Sequence, residues 1–243
     1  MPSVLIVQHD DECPPALVGD WLLEAGCTLE VARPYAGEPM PDPAGYDALL
    51  VLGGPQSAED DSVPWFAPLK QRLREARATG LPTLGICLGH QLVASALGGR
   101  VERNPRGQQL GLLEVGWTRE AAADELTATL ASWRRGVHWN DDVVTRLPDG
   151  ATVLAETSAG ELQAARFGPR MWGLQLHPEV DEQTLRPWAE DDRDAHVLRG
   201  VDQEALLSAV GAAAGELTQA WRPLAFAWAE ILAPGSSPRS GGA

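Results

Sequence analysis

The chain of 243 residues predicts an α/β fold: an open, mostly parallel sheet flanked by helices, with a small antiparallel extension. Three observations predict it. Short apolar runs alternate with helical stretches over the first hundred residues. One such run, Thr83 to Ile86, passes directly into a helix at a cysteine set between two nearby glycines. After that helix the apolar runs crowd together with no helix between them. Alternation of strand and helix is the pattern of parallel strands joined by crossovers, whereas close spacing suits antiparallel pairing.

The elements follow in order. Residues 4–7 read as a first strand, 15–25 as a helix, 28–32 as a second strand and 48–52 as a third. Residues 66–78 place Leu69, Leu73 and Ala76 on one face among Lys70, Arg72, Arg74 and Glu75, which is the pattern of an amphipathic helix. That helix feeds the strand 83–86, and a helix over 88–97 follows. Residues 100–102, 112–117, 152–156, 162–166 and 171–176 read as short strands of the extension. Helices resume at 184–189, 203–221 and 224–232. A single domain is expected over residues 1–233, and the Gly-, Ser- and Pro-rich stretch 234–243 is expected to be a disordered tail.

Composition narrows the functional classes. Apolar residues make up 44% of the chain, enough for a sizeable core, and the net charge of −15 opposes a nucleic-acid surface, which needs basic patches. Cys13, Cys27 and Cys87 form no paired framework. With no basic leader and no apolar run long enough to span a bilayer, a cytoplasmic protein without membrane contact is expected. The histidines His9, His90, His138, His177 and His196 are scattered, without H-E-x-x-H or C-x-x-C spacing, so neither a metal nor a cofactor is expected. Most of the nine tryptophans are expected to be packing residues.

Two motifs carry chemistry. Cys87 occupies the corner between strand and helix, with Gly85 and Gly89 permitting close backbone approach. A thiol there meets the exposed amides and positive end of the helix dipole, which favour a thiolate, and the Leu88 amide is placed to face an oxyanion. A lone cysteine is more often a core residue, so a base is required. Residues 171–176 form an apolar run ending in His177-Pro178-Glu179. His177 is placed to take the thiol proton and Glu179 to orient the ring. His90 is a rival base beside the nucleophile, but its position on the elbow helix favours packing.

These motifs resemble those of the class I glutamine amidotransferases, which carry G-x-C-x-G-x-Q at the elbow and H-P-E at the second site. A third element agrees: Ala48 to Leu52 leads into Gly53-Gly54-Pro55-Gln56-Ser57, similar to the family's oxyanion loop. The resemblance implies a flavodoxin-like sheet and hydrolysis of the glutamine side-chain amide. It implies Cys87 as nucleophile, His177 as general base and acid, Glu179 as its orienter, and the amides of Gly54 and Leu88 as the oxyanion hole. Gly53 and Gln91 are implied as substrate contacts. Val137-His138-Trp139-Asn140-Asp141-Asp142 resembles the H-W-H-x-D loop of relatives of the GMP synthase glutaminase domain, which implies Trp139 and Asn140 as further contacts.

Two departures stand out: Asn140 replaces a histidine common in relatives, and Gln109-Leu110-Gly111 replaces E-x-G, so the substrate's amino end is held differently or by another acid. The expected partners are glutamine or another γ-glutamyl compound, together with a separate acceptor (synthetase) chain. Hydrolysis of other γ-glutamyl amides is the alternative activity, and a non-catalytic binding protein a weaker one.

Overall fold

A computed structural model describes residues 1–130, 132 and 135–232. The expected tail, 234–243, lies outside the described residues. The first half winds as β1 (Ser3–Val7), α1 (Ala16–Glu24), β2 (Thr28–Ala32), β3 (Ala48–Val51), α2 (Phe66–Thr79), β4 (Thr83–Ile86) and α3 (Leu88–Ala96). The strands β5 (Arg100–Arg103), β6 (Gln109–Glu114), β7 (Arg135–Asn140), β8 (Asp142–Arg146), β9 (Thr152–Glu156), β10 (Leu162–Gly168) and β11 (Met171–Leu174) follow. The helices α4 (Glu182–Asp191), α5 (Arg193–Arg199), α6 (Gln203–Ala212) and α7 (Ala214–Leu232) complete the described chain.

Seven strands form one sheet in the order β2-β1-β3-β4-β11-β10-β9. The first five are parallel, and β10 and β9 extend the sheet antiparallel from β11. Two small antiparallel pairs, β5 with β8 and β6 with β7, stand apart from it. The parallel strands read as unbroken apolar runs because both faces are covered. Along β1, Val4 and Ile6 pack with Trp21, Leu22 and Trp228 from α1 and α7, while Leu5 and Val7 pack with Phe66, Leu69 and Leu92 from α2 and α3. Successive side chains of a strand point to opposite faces, so one tetrapeptide feeds two cores. Burying each such side chain stabilises the fold by about 1.5–3 kcal/mol.

The extension differs from the expectation in detail. Residues 137–142, read as a loop, form the end of β7 and the start of β8, and β6 starts three residues before the expected strand at 112. Their backbone pairing is cross-strand and leaves few consecutive apolar residues to read. The last helices also divide elsewhere. The sequence reading divides them between residues 221 and 224, a gap that holds Pro223, which lacks the amide that continues a helix. Instead α7 runs through Pro223, and the break falls at Ala213. There α6, packed on β6 and α4, gives way to α7, packed on α1. Gln219, whose carbonyl the missing amide would have bonded, is exposed to water, while Trp221, Leu224 and Trp228 hold the inner face.

Candidate active site

β4 and β11 run side by side in parallel register, so their carboxyl ends deliver Cys87 and His177 to the same edge of the sheet. Open α/β sheets place ligands at this edge. Cys87 has φ +49°, a left-handed conformation rare for a residue with a Cβ. Its amide still reaches Leu174 O at 2.7 Å, and its carbonyl accepts from Gln91 N, so sheet and helix hold the strained corner from both sides. The two glycines are sterically required. A Cβ on Gly89 would lie 2.1 Å from Val51 O, and one on Gly85 2.6 Å from Gly89 backbone atoms.

His177 and Glu179 leave the end of β11 together. His177 Nδ1 and Glu179 Oε1 are 2.7 Å apart, and both residues are buried. The Glu179 carboxylate therefore fixes the tautomer, with the proton on Nδ1 and Nε2 left for the thiol. Nε2 is buried and makes no aligned hydrogen bond, as is common before substrate binds. Burial alone would lower the imidazole pKa, but the charges of Cys87 and Glu179 outweigh it and hold His177 above its ordinary value. The imidazolium form of the ring is thus favoured. Trp188 packs edge-on against the His177 ring with centroids 4.9 Å apart, and its indole donates to Glu12 O, tying the loop after β1 to His177.

The loop after β3 closes the third side. A Cβ on Gly53 would sit 3.1 Å from His177 Cε1 and 3.6 Å from Cys87 Cβ, and one on Gly54 would sit 2.8 Å from His9 Cβ. The missing Cβ of Gly53 lets this backbone lie against Cys87 and His177, and that of Gly54 lets it lie against His9 and Leu88. Leu88 packs against Gly54 and opens α3, so its amide has no acceptor within the helix. Ser57 Oγ donates to the Asp142 carboxylate at 2.7 Å, fastening the loop to β8.

Cys87, His177, Gly54, Gln91, Trp139 and Asn140 line one cleft of about 600 Å³, with Glu179 behind the ring. Gln91 donates to Asp142 O at 2.9 Å and to Gln175 Oε1 at 3.3 Å. Asn140 donates to Asp142 O and Gln109 Oε1, while its own Oδ1 is buried without a partner. Gln109 Oε1 also accepts from Gln163, so Gln109 lies behind the cleft wall as a neutral brace. Trp139 donates to Asp192 at 2.9 Å and packs on His196. The rim is acidic: Asp10, Glu12, Asp191 and Asp192 face the opening, whereas Arg103, its arginine, is paired with Asp141 at 3.0 Å. Partial burial and the charges of Asp191, Asp10 and Asp11 push the Glu12 carboxyl above its ordinary value.

His90 lies away from this chemistry. It is fully buried, has no partner at either nitrogen, and packs on Phe167 and against Gly173, where a Cβ would meet Nδ1 at 2.3 Å. Burial lowers its pKa to about 3, so it is neutral. Sequence reasoning missed Gln175 and Asp142. Gln175 stands just past the end of β11 and two residues before His177, where no motif marked it. Asp142 acts chiefly through its backbone carbonyl, which no sequence pattern marks. Among the described residues, no group of three or more histidines, cysteines and carboxylates is arranged to hold a metal ion.

Comparison with known proteins places the chain in a family. Residues 17–189 match the family model described as glutamine amidotransferase class-I. The chain is 34% identical over 164 residues to the glutamine amidotransferase-like protein YfeJ of Salmonella typhimurium, covering 65% of this chain and 68% of that one. It is 36% identical to the glutamine-hydrolyzing GMP synthase subunit of Halobacterium salinarum, over 57% and 70% of the two chains. It is 28% identical to gamma-glutamyl peptidase 5 of Arabidopsis thaliana, over 58% and 56%. A glutamine amidotransferase of Thermotoga maritima superposes with a TM-score of 0.83 at 26% identity, over 94% of this chain and 98% of that one. The matched region spans most of the chain and contains the elbow, the oxyanion-type loop and the histidine–glutamate pair, so the protein belongs to the glutamine amidotransferase class-I family.

Proposed function

We propose that the protein hydrolyses the side-chain amide of glutamine, with Cys87 as nucleophile, and delivers ammonia to a separate acceptor enzyme. The observation that carries this reading is the strained Cys87 beside a buried His177 whose far nitrogen is 2.7 Å from Glu179. The thiolate attacks the amide carbon, and the carbonyl oxygen takes the negative charge. Amides of Gly54 and Leu88 stabilise that oxygen; one such donor is commonly worth about 100- to 1000-fold in rate. His177 gives its proton to the departing nitrogen, leaving a thioester and free ammonia. Neutral His177 then takes a proton from water, the hydroxide adds to the thioester, and glutamate leaves as the thiolate and imidazolium are restored. Glu179 keeps the ring oriented in both halves.

The Asn140 Oδ1 acceptor and the Gln91 amide are the groups proposed to hold the amino-acid end, with Gly53 and Trp139 closing around it. Three unpaired cysteines suit a reducing compartment such as the cytoplasm. The similarity to a GMP synthase subunit supports an acceptor in a second chain. A second reading, hydrolysis of other γ-glutamyl amides or peptides, is favoured by the roomy acidic cleft mouth and by the similarity to a gamma-glutamyl peptidase. Assay of purified protein with glutamine and with a panel of γ-glutamyl amines separates the two. Slow glutamine turnover that rises with an acceptor enzyme, and little turnover of the amines, is expected. Turnover of a γ-glutamyl amine at an ordinary rate of about 10 per second by the isolated chain would establish the second reading instead.

A further inference from the structure

We infer that Gln175 is a positioning residue that holds the Cys87 sulfur as a thiolate, through an amide whose orientation is dictated by a backbone carbonyl. This deepens the reading of Cys87 as nucleophile. Gln175 is fully buried, and its Nε2 lies 3.6 Å from Cys87 Sγ, within reach of a hydrogen bond to sulfur. Its backbone amide is fixed by Gln163 O at 2.8 Å, so the side chain departs from an anchored backbone just past β11.

A terminal amide can present either its oxygen or its nitrogen, and only the nitrogen stabilises a thiolate. The orientation here follows from a chain of three groups. Asp142 O is a carbonyl and accepts only, so the Gln91 atom at 2.9 Å must be Nε2. The second proton of that nitrogen points to Gln175, which must answer with Oε1 at 3.3 Å. The Gln175 nitrogen is then left facing the sulfur. A flipped Gln175 would set two N–H groups against each other and aim an oxygen at the anion. A hydrogen bond made to the ionised form favours that form. His177 supplies the opposite charge, and Gln175 supplies a neutral donor from another direction that stays in place when the imidazolium gives up its proton. The thiolate regenerated at the end of each turnover therefore meets a second donor besides the imidazolium.

The test is the rate of Cys87 alkylation by iodoacetamide as a function of pH, which reads thiolate formation without requiring any γ-glutamyl substrate. In Gln175→Met the side chain keeps its length and loses the donor. The expected result is alkylation at neutral pH reduced about tenfold, with a profile displaced to higher pH and a near-native thermal unfolding midpoint; hydrogen bonds to charged groups are of that size. Gln91→Met, which frees the Gln175 amide to turn, should move the profile in the same direction by less, and it reads the idea should Gln175→Met fold poorly. An unchanged alkylation profile in a folded variant overturns the inference, because a merely structural glutamine would alter stability and not the pH dependence. If instead the profiles shift while neither glutamine nor γ-glutamyl amines are turned over, the positioning role stands and the proposed function falls.

Discussion

The two ends of the cleft are built on different principles. At the nucleophile's end, position is set by backbone: parallel register of β4 and β11, a positive-φ corner, and glycines at 53, 54, 85 and 89 that let main chains touch. At the far end, position is set by side chains from several elements, with Gln108, Trp139, Asn140 and Asp192 held by amide and indole hydrogen bonds. The backbone-built end has no room for side chains at these glycines and carries the chemistry proposed above. The side-chain-built end can be altered one residue at a time, and here it departs from the E-x-G and histidine pattern of relatives. In the proposed function, reaction type and substrate choice are thereby separated along one cleft.

The largest effects should come from the backbone-built end. Cys87→Ala should abolish turnover of every γ-glutamyl substrate while leaving circular dichroism unchanged, since Cys87 is the thiol proposed to form the thioester. Labelling of Cys13 or Cys27 by a glutamine-analogue electrophile would break the assignment. His177→Ala should lower kcat by about 100- to 10,000-fold, the usual worth of general acid–base catalysis. Glu179→Gln should cost less, about 100-fold, because the amide oxygen can still orient the ring while the charge that stabilises the imidazolium is lost. A Glu179→Gln enzyme slower than His177→Ala would show that the carboxylate has a role beyond orienting the ring.

Changes at the far end should act on binding. Asn140→Leu removes the unpartnered Oδ1 acceptor, and KM for glutamine should rise about tenfold with kcat little altered. If kcat falls instead and KM holds, Asn140 belongs with the chemistry and the division of the cleft fails.

The smallest catalytic effect is expected at His90, which sits three residues from Cys87 and yet outside the cleft. His90→Leu should retain nearly full activity. Its effect lies in acid stability. Burial lowers the folded-state pKa to about 3 from an ordinary 6.5, so below pH 6.5 the unfolded chain takes up a proton that the folded chain refuses. Stability from this group is complete above the unfolded value and is lost as pH falls toward the folded one, at about 1.4 kcal/mol per pH unit. Urea unfolding at pH 5 and pH 7 should therefore show a smaller acid loss in His90→Leu than in the parent, by about 2 kcal/mol. Loss of activity in this variant would make His90, not His177, the residue to re-examine.

The elements that could be read from the sequence are those with local causes. β1, β3 and β4 announce themselves as short apolar runs, and the elbow is marked by Cys87 between Gly85 and Gly89, because strain and steric clearance must be solved by adjacent residues. β7 and β8 were hidden, since their strands are defined by partners about 25 and 45 residues away rather than by their own periodicity. The short α5 gave no signal, and Pro223 misled because the neighbouring apolar face of α7 outweighs one missing hydrogen bond. At the site, Gln175 and Asp142 went unread, because one follows the strand's end without a motif and the other acts through a carbonyl, which has no residue type.

By itself the sequence determined the alternating α/β pattern, the cysteine corner, and the histidine and glutamate that end one strand, because each is a local arrangement of a few adjacent residues. Only the tertiary structure decided that His177 rather than His90 faces Cys87, since two strands distant in sequence must pair in parallel register to bring them together. It alone decided that Asn140 turns an unsatisfied oxygen into the cleft wall while Gln109 braces it from behind, and that Gln175 meets the sulfur with its nitrogen. Such choices depend on which donors and acceptors are left over once the backbone has paired. That remainder exists only in the folded chain.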